Sequence, residues 1–416
     1  MSVSDAPAEA VETPKPKVEV ADIFCMYGQP YQNEHWLNTR QKKAMRDIQD
    51  CRTAVLGGHV DVCEQGCGYS RISYNSCRNR HCPKCQGLQS AKWLEKREDK
   101  ILPTHYFHMV FTIPNELNPI ILQNPKKGYN LLFRAASRSL LELASQWKRL
   151  RAHVGFTAAL HTWSQDLLFH PHLHVVVTGG GLNATQTQWI SSRNGFLVPV
   201  KALSKKFQGK FLDLLKTAYA KHNLSLRGSI CALEDPVAFD RLMNKLYGKK
   251  WVVYCKKPFG GPEQVFRYLG LYTHRVAISN HRLVAFDAGR VTFLARNNQH
   301  PGAKRQVSVT AEEFIRRFLL HILPKGLVKI RHYGLKAPCN ANSKLERARN
   351  LLQQGSASPS DTSASGKINS YPNQSATEMD HATCPVCGGN LARHKLTILD
   401  HIPWADGHGP IFLDSS

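Results

Sequence analysis

The sequence predicts an α+β protein that carries a small metal-binding module near its N-terminus. Residues 154–162 and 172–178 are apolar, β-branched segments typical of adjacent strands in a hairpin. Residues 129–150 have apolar side chains at helical spacing, which predicts an amphipathic helix. Six of the 12 cysteines lie between Cys51 and Cys85, in a segment too polar to build a core of its own. Such clustering indicates metal ligation rather than a disulfide scaffold.

The remaining elements follow from periodicity and from turn residues. Helices are predicted over 41–51, 86–101, 202–219, 236–247, 262–272 and 311–323. Strands are predicted over 106–113 and 251–255, and as a meander over 276–279, 283–286 and 291–294. The three glycines at 179–181 are expected to end the second hairpin strand.

The charge balance favours a polyanionic partner. Lys and Arg total 55 against 31 Asp and Glu, a formal net charge of +24 over 416 residues. Basic residues are spread along the whole chain, so nucleic acid is the simplest partner. Neither a membrane-spanning segment nor a secretory signal is recognisable, so we expect a cytoplasmic protein that does not bind membranes.

The cysteine-rich segment predicts structural Zn²⁺. The pairs Cys63–Cys67 and Cys82–Cys85 have the short spacings that bring four thiolates to one zinc ion. Four further residues are either ligands of a second zinc ion or unligated: Cys51, His59, Cys77 and His81. A pair near the C-terminus, Cys384 and Cys387, is either a third zinc site or an unliganded turn.

Basic side chains surround the same cysteines. Arg78, Arg80 and Lys84 are interleaved with Tyr69 and Tyr74. Cations that contact phosphates, together with aromatic rings that stack on bases, favour DNA binding over a purely structural zinc module.

Two histidines predict a second kind of metal site. On a strand His172 and His174 point to one face, whereas Leu173, Val175 and Val177 point to the other, where an apolar core is expected. Two imidazoles at this spacing can provide half of a divalent-cation site. The alternative is a hydrogen-bonded, partly buried histidine pair.

A pair of tyrosines supplies candidate nucleophiles. Tyr268 and Tyr272 are four residues apart and share one face of a predicted helix. The alternative is an aromatic stripe in the core, but Arg267 and Arg275 make the surroundings basic and suited to phosphate. A phenol has a pKa near 10, so it attacks phosphorus efficiently only beside a cation that polarises the phosphate.

These motifs, in this order, resemble the two-tyrosine transposases of rolling-circle insertion sequences, which belong to the HUH (His-hydrophobic-His) endonucleases. The matching segments are residues 57–59, 74–86, 160–163, 170–174, 268–280 and 331–335. Together they extend over roughly residues 25–340. In the first cysteine pair, Gly66 is an extra residue compared with the two-residue spacing expected of the family.

The resemblance implies an HUH domain with a central antiparallel sheet flanked by helices. His172 and His174 fall on the metal ligands, which bind Mg²⁺ or Mn²⁺, and Tyr268 and Tyr272 fall on the nucleophiles, which become linked to the 5′ end of single-stranded DNA. The third metal ligand is one of three candidates, Gln165, Asp166 and His161.

The implied activity is a transposase that acts on insertion-sequence ends and target DNA. Two alternatives stay open: a plasmid replication initiator with the same chemistry, and a zinc-dependent DNA-binding regulator without catalysis. Host replication proteins are further candidate partners, and the bacterial nucleoid and plasmids are the expected location.

The expected domain organisation has five parts. They are a disordered tail (1–20), a zinc-binding and DNA-binding module (21–100), the HUH catalytic domain (101–340) with a helical insertion (183–250), a helix and flexible linker (341–382), and a C-terminal Cys-x-x-Cys tail (383–416).

Overall fold

The computed structural model describes residues 18–85, 100–193, 195–259, 270, 276–297, 300, 302–354 and 383–396. The predicted tail, the predicted helix over 86–101 and the predicted linker lie almost entirely outside these ranges. So does nearly all of the predicted helix over 262–272, which carries both tyrosines.

The described chain contains eight α-helices and twelve β-strands. The helices are α1 (Val20–Glu34), α2 (Thr39–Gln49), α3 (Asn118–Gln123), α4 (Pro125–Gln146), α5 (Val200–Ala220), α6 (Pro236–Gly248), α7 (Ala311–Leu319) and α8 (Lys344–Gln354). The strands are β1 (Gly58–Cys63), β2 (Ser70–Tyr74), β3 (Tyr106–Thr112), β4 (His153–Trp163), β5 (Phe169–Leu182), β6 (Trp189–Ser191), β7 (Val253–Phe259), β8 (Leu283–Asp287), β9 (Arg290–Arg296), β10 (Lys304–Thr310), β11 (Ile330–Gly334) and β12 (Leu391–Leu396).

A six-stranded antiparallel sheet forms the centre of the fold. Its order is β11-β4-β5-β3-β7, and β6 pairs with the far end of β5. The predicted hairpin is β4 and β5, in which His161 lies opposite His172. The α+β class with a central antiparallel sheet is therefore confirmed.

One face of this sheet is the main apolar core. Leu173, Val175 and Val177 are buried there, as the alternation along β5 predicts. Helices α4 and α5 cover this face, and the Phe207 ring packs edge-on against Phe111 of β3 at 5.2 Å between ring centroids. The apolar packing fixes β5, and with it the direction of the histidines on the opposite face.

The prediction that residues 179–181 end β5 is wrong. The strand continues to Leu182; Gly180 and Gly181 pair with β6, and Gly181 also pairs with β4. A Cβ atom on Gly181 would lie 2.2 Å from the His153 carbonyl oxygen, and one on Gly180 would lie 2.4 Å from that of Ile190. Glycine is needed here because the neighbouring backbones approach closely, and the strand is extended rather than broken.

A second sheet, in the order β10-β9-β8, packs with the N-terminal helices. Phe24 of α1 contacts Phe318 of α7 edge-on, with ring centroids 5.3 Å apart. The meander prediction is correct for β8 and β9 but wrong for 276–279, which has no strand in the structure. The third strand is instead β10. Most of its side chains are polar, so its sequence lacks the apolar run that is typical of a buried strand.

A third, small sheet joins the two ends of the described chain. Its order is β12-β1-β2, so residues 391–396 pair along the whole of β1. Strand β12 belongs to the segment predicted as a separate C-terminal tail, but it completes the sheet of the zinc module.

The predicted helical insertion over 183–250 contains α5 and α6. Asp235 caps α6 by accepting hydrogen bonds from the backbone N–H groups of Val237 and Ala238. None of the described helices is long and apolar enough to cross a bilayer.

Candidate metal centres

Three histidines meet on the face of the central sheet that lies opposite the apolar core. They are His161 on β4 and His172 and His174 on β5. Each offers a ring nitrogen, and these three nitrogens lie within 4.8 Å of one another. The structure thus brings His161, one of three candidates for the third ligand, to the predicted histidine pair.

Hydrogen bonding sets the direction of the two β5 imidazoles. His172 Nδ1 lies 2.7 Å from the His170 carbonyl oxygen, which can only accept, so Nδ1 donates and Nε2 carries the acceptor lone pair. His172 Nε2 in turn lies 3.2 Å from His174 Nε2. Two nitrogen ligands at ~2.1 Å from one cation stand about 3.0–3.4 Å apart. This spacing fits a shared metal ion. The hydrogen bond from His172 Nδ1 fixes the ring orientation and leaves Nε2 free of a proton, as a metal-binding histidine requires.

A fourth histidine, His108 of β3, supports the cluster and was not singled out from the sequence. Its Nε2 atom lies 2.9 Å from His174 Nδ1, and the two rings are stacked. Burial lowers the pKa of His108 to about 4, with smaller contributions from the charges of Lys256 and His172. The available signal was the one histidine in the largely apolar segment 106–113.

Aromatic and basic groups border the cluster at the end of β4. The Trp163 ring stacks on His161 with centroids 4.6 Å apart, and Lys329 Nζ lies 5.5 Å from the Trp163 centroid. Burial lowers the pKa of Lys329 to about 7, helped by the charge of Arg80. His161 is only 2 % exposed, so its ring is held in place by packing.

The other two third-ligand candidates, Gln165 and Asp166, belong to the turn between β4 and β5. Both Asp166 carboxylate oxygens accept from Arg305 at 2.6 Å, so this carboxylate pairs with a guanidinium and is not part of the histidine cluster. The Gln165 backbone carbonyl accepts from Arg282, and Gln165 stays a candidate ligand. The predicted nucleophiles Tyr268 and Tyr272 lie outside the described residues.

The cysteines group differently from the sequence prediction. One cluster consists of Cys51, Cys77, Cys82 and Cys85, whose sulfurs all lie within 4.8 Å of one another. Cys51 Sγ is 3.5 Å from Cys85 Sγ, and Cys77 Sγ is 3.6 Å from it. The predicted set that combined Cys63–Cys67 with Cys82–Cys85 is therefore corrected. Cys51 follows α2, which packs this thiol into the apolar cluster around α1 and α7.

The two histidines proposed for a second zinc ion also lie apart from the thiols. His81 Nε2 accepts a hydrogen bond from the Leu323 backbone N–H at 3.3 Å, and burial lowers the His81 pKa to about 3. His59 lies on β1, with Nε2 3.9 Å from the buried Asp61 carboxylate. The His81 contact joins the cysteine-rich module to the segment after α7, whereas the His59 contact lies within β1.

A second cluster consists of Cys63 and Cys67, at the end of β1, with Cys384 and Cys387 from the C-terminal region. Cys63 Sγ lies 3.4 Å from Cys387 Sγ, and Cys67 Sγ lies 3.5 Å from Cys384 Sγ. The two ends of the described chain are thus brought together at sulfur atoms as well as along β1 and β12.

The predicted DNA-contacting residues have different environments. Arg78 is exposed and is suited to a phosphate contact. Arg80 donates to the carbonyl oxygens of Leu327 and Pro324, and Lys84 pairs with Glu19 at 2.6 Å. The Arg80 side chain therefore connects the module to the 324–327 segment and is only partly exposed to solvent.

Comparisons with known proteins find two family models and two relatives that match this chain. A family model described as "Putative transposase" matches residues 155–344, and one described as "Transposase zinc-binding domain" matches residues 23–113. The chain is 46% identical over 370 residues to "Putative transposase y4qJ" of Sinorhizobium fredii, which covers 89% of this chain and 92% of that protein. It is 26% identical over 372 residues to the "Transposase for insertion sequence element IS801" of Pseudomonas savastanoi pv. phaseolicola, covering 86% of each. No solved structure matches.

Proposed function

Because this chain belongs to the family of insertion-sequence transposases with an N-terminal zinc-binding domain, we propose that it is an HUH enzyme. It cuts and rejoins single-stranded DNA at the ends of its element through a covalent phosphotyrosine bond. Family membership supports transposition; the metal dependence, the strand type and the residues that act are our proposal.

The convergence of His161, His172 and His174 is the observation that carries this proposal. The sequence explains why these side chains share a face, since β5 places alternate residues in the apolar core. Three imidazoles fixed by a carbonyl, a second histidine and a stacked ring form a prepared ligand set for Mg²⁺ or Mn²⁺. Such a cation supplies Lewis acidity toward the oxygens of the scissile phosphate.

The proposed nucleophiles are Tyr268 and Tyr272. A tyrosine hydroxyl gives up its proton as its oxygen bonds to phosphorus, the bond from phosphorus to the 3′ oxygen breaks, and that oxygen leaves with the electron pair and takes up a proton. The bond energy is retained in the phosphotyrosine linkage, so a strand with a free 3′ hydroxyl can reverse the step and be joined. Two tyrosines permit one strand to be held while a second is cut.

The cysteine-rich module contributes structure and DNA binding. We assign a structural Zn²⁺ to Cys51, Cys77, Cys82 and Cys85, whose sulfurs connect α2 to the segment that follows β2. Arg78 is the proposed phosphate contact of this module. Arg267 and Arg275, which lie beside the tyrosines in sequence, are proposed contacts of the cleaved strand.

The test is capture of the covalent intermediate. Wild-type protein incubated with Mg²⁺ or Mn²⁺ and a labelled single strand from the element end is expected to give a protein–DNA species that survives denaturing electrophoresis. The Tyr268→Phe/Tyr272→Phe variant should bind the strand and give no such species. Tyr247→Phe is the matched control, since this exposed tyrosine lies in the helical insertion.

A double variant that still becomes linked to DNA would reject these nucleophiles. Complete absence of linkage by the wild-type protein, together with tight binding, would instead indicate a regulator without catalysis. Transfer of a marked element between plasmids distinguishes a transposase from a replication initiator with the same chemistry.

A further inference from the structure

The four cysteines of the second cluster come from opposite ends of the chain. Cys63 and Cys67 are separated by more than 300 positions from Cys384 and Cys387, yet their four sulfurs lie within 4.8 Å of one another. The matching zinc-binding family model ends at residue 113, so it contains only the first pair.

Sulfur–sulfur distances identify the kind of contact. The two cross-chain distances are 3.4 and 3.5 Å. A disulfide has its sulfurs about 2.05 Å apart, far closer than these. Four thiolates at ~2.3 Å from one Zn²⁺ in tetrahedral geometry stand about 3.8 Å apart, close to the observed spacing.

Backbone geometry around the sulfurs also suits a bound metal. The backbone N–H groups of Gln65, Tyr69 and Gly389 point at the sulfurs of Cys63, Cys67 and Cys387 respectively. Each donor lies two residues beyond its cysteine, the arrangement of a zinc knuckle, and such bonds stabilise thiolate over thiol. Gly66 and Gly388 have φ values of +70° and +72°, which the two tight turns require.

The two knuckles are held in position by contacts other than sulfur. Strand β12 pairs with β1 throughout, and the Glu64 N–H donates to the Asn390 carbonyl at 3.0 Å. The Arg393 guanidinium donates to both oxygens of the buried Asp61 carboxylate, at 2.7 and 3.2 Å. The four sulfurs are therefore brought together by a preformed sheet, and a metal ion would not have to gather them.

We propose that Cys63, Cys67, Cys384 and Cys387 hold a second structural Zn²⁺ that fastens residues 383–396 to the N-terminal module. The module is then completed only by the C-terminal end of the chain. This site is independent of the proposed cleavage chemistry, and the chain carries two tetrathiolate zinc ions rather than one.

Zinc content measures this directly. Full-length protein purified without added metal is expected to contain two zinc ions per chain by elemental analysis. Cys384→Ser/Cys387→Ser should contain one, because serine hydroxyls do not replace thiolates. Cys231→Ser/Cys339→Ser is the matched control and should retain two, since both exposed thiols lie outside the clusters. One zinc ion in the wild-type chain, or two in the Cys384→Ser/Cys387→Ser variant, would overturn the proposal.

Conservative replacement separates ligation from folding. Cys387→His keeps a zinc-ligating atom at the site and should contain two zinc ions, whereas Cys387→Ser should lose one of the two. In protein loaded with Co²⁺ instead, the sulfur-to-cobalt absorption of Cys384→Ser/Cys387→Ser should fall to about half that of the wild type, because one of two such sites is lost. Unchanged absorption, or a Cys63–Cys387 disulfide found by mass spectrometry of the unreduced protein, would contradict the assignment.

Discussion

The two faces of β5 differ in almost every physical respect although they alternate residue by residue. On one face Leu173, Val175 and Val177 are nearly inaccessible and pack in the apolar core under α4 and α5. On the other face His172 and His174 contact other imidazoles and a backbone carbonyl. The apolar face stabilises the fold. Its rigid packing allows the polar face to hold several imidazoles close together, although burying such polar groups is unfavourable. Substitutions on the two faces should therefore affect different measurements.

The largest effect is expected from the ligand face. His172→Ala/His174→Ala should reduce the rate of protein–DNA adduct formation by about 10³-fold or more, since a metal ion stabilises transition-state charge by several kcal/mol. The free energy of unfolding should change little, because no apolar core is lost. The exposed His281→Ala is the control and should leave the rate unchanged. A double variant that forms the adduct at the wild-type rate would show that His172 and His174 do not take part in cleavage.

The core face should show the reverse behaviour. Leu173→Ala should lower the free energy of unfolding by about 3 kcal/mol, through lost burial and the cavity left behind. Chemical denaturation measures this loss, and the adduct rate per folded molecule should stay close to wild type. A large drop in that rate at full folding would mean that the two faces are not separable.

His108 tests the support behind the ligands. His108→Ala should weaken Mn²⁺ binding by about 10–100-fold, because the partner of His174 Nδ1 is lost. His108→Gln offers a hydrogen-bonding group at a similar reach and should restore much of the affinity. Titration with Mn²⁺ measures both variants. Equal weakening in the two would reduce His108 to a packing role.

The smallest expected effect is on stability at acid pH, and it comes from His321, next to the turn between β4 and β5. His321 is buried, with Nδ1 3.2 Å from Thr162 Oγ1 and Nε2 3.0 Å from the Leu167 carbonyl. Burial lowers its pKa to about 4. Above pH 6.5 the residue is neutral in both folded and unfolded chains. As the pH falls from 6.5 toward 4 only the unfolded chain gains the proton, so stability declines.

Protonation of His321 in the unfolded chain lowers the free energy of unfolding by about 1 kcal/mol at pH 5.5. Denaturation of His321→Gln at pH 7.5 and pH 5.5 should show a difference between the two pH values smaller than that of the wild type by this amount. An identical pH dependence in both proteins would argue against a neutral buried His321.

Much of the ligand face could be predicted from the sequence because it depends on local geometry. Alternation along a strand assigns His172 and Leu173 to opposite faces without knowledge of the neighbours. The choice of His161 over Asp166 could not be predicted, since it depends on the register between β4 and β5 and on where the turn begins. Only the paired strands place His161 opposite His172.

The grouping of the cysteines depends even more on tertiary structure and could not be predicted from the sequence. Spacing identifies Cys63–Cys67 and Cys384–Cys387 as pairs, but spacing cannot say which pairs meet. That choice depends on β12 pairing with β1 over a separation of more than 300 residues. The prediction for residues 179–181 is wrong for a related reason: glycine is required there by the close approach of β4 and β6, and this approach is a property of the tertiary structure.

The nitrogen ligands of bound Mn²⁺ test the central claim most directly. In zinc-replete protein loaded with one equivalent of Mn²⁺, pulsed electron paramagnetic resonance is expected to show nitrogen couplings of directly bound imidazoles. These couplings should weaken in each of His161→Ala, His172→Ala and His174→Ala, and they should be unchanged in His281→Ala. Bound Mn²⁺ without imidazole coupling, or coupling that survives all three substitutions, would contradict the account.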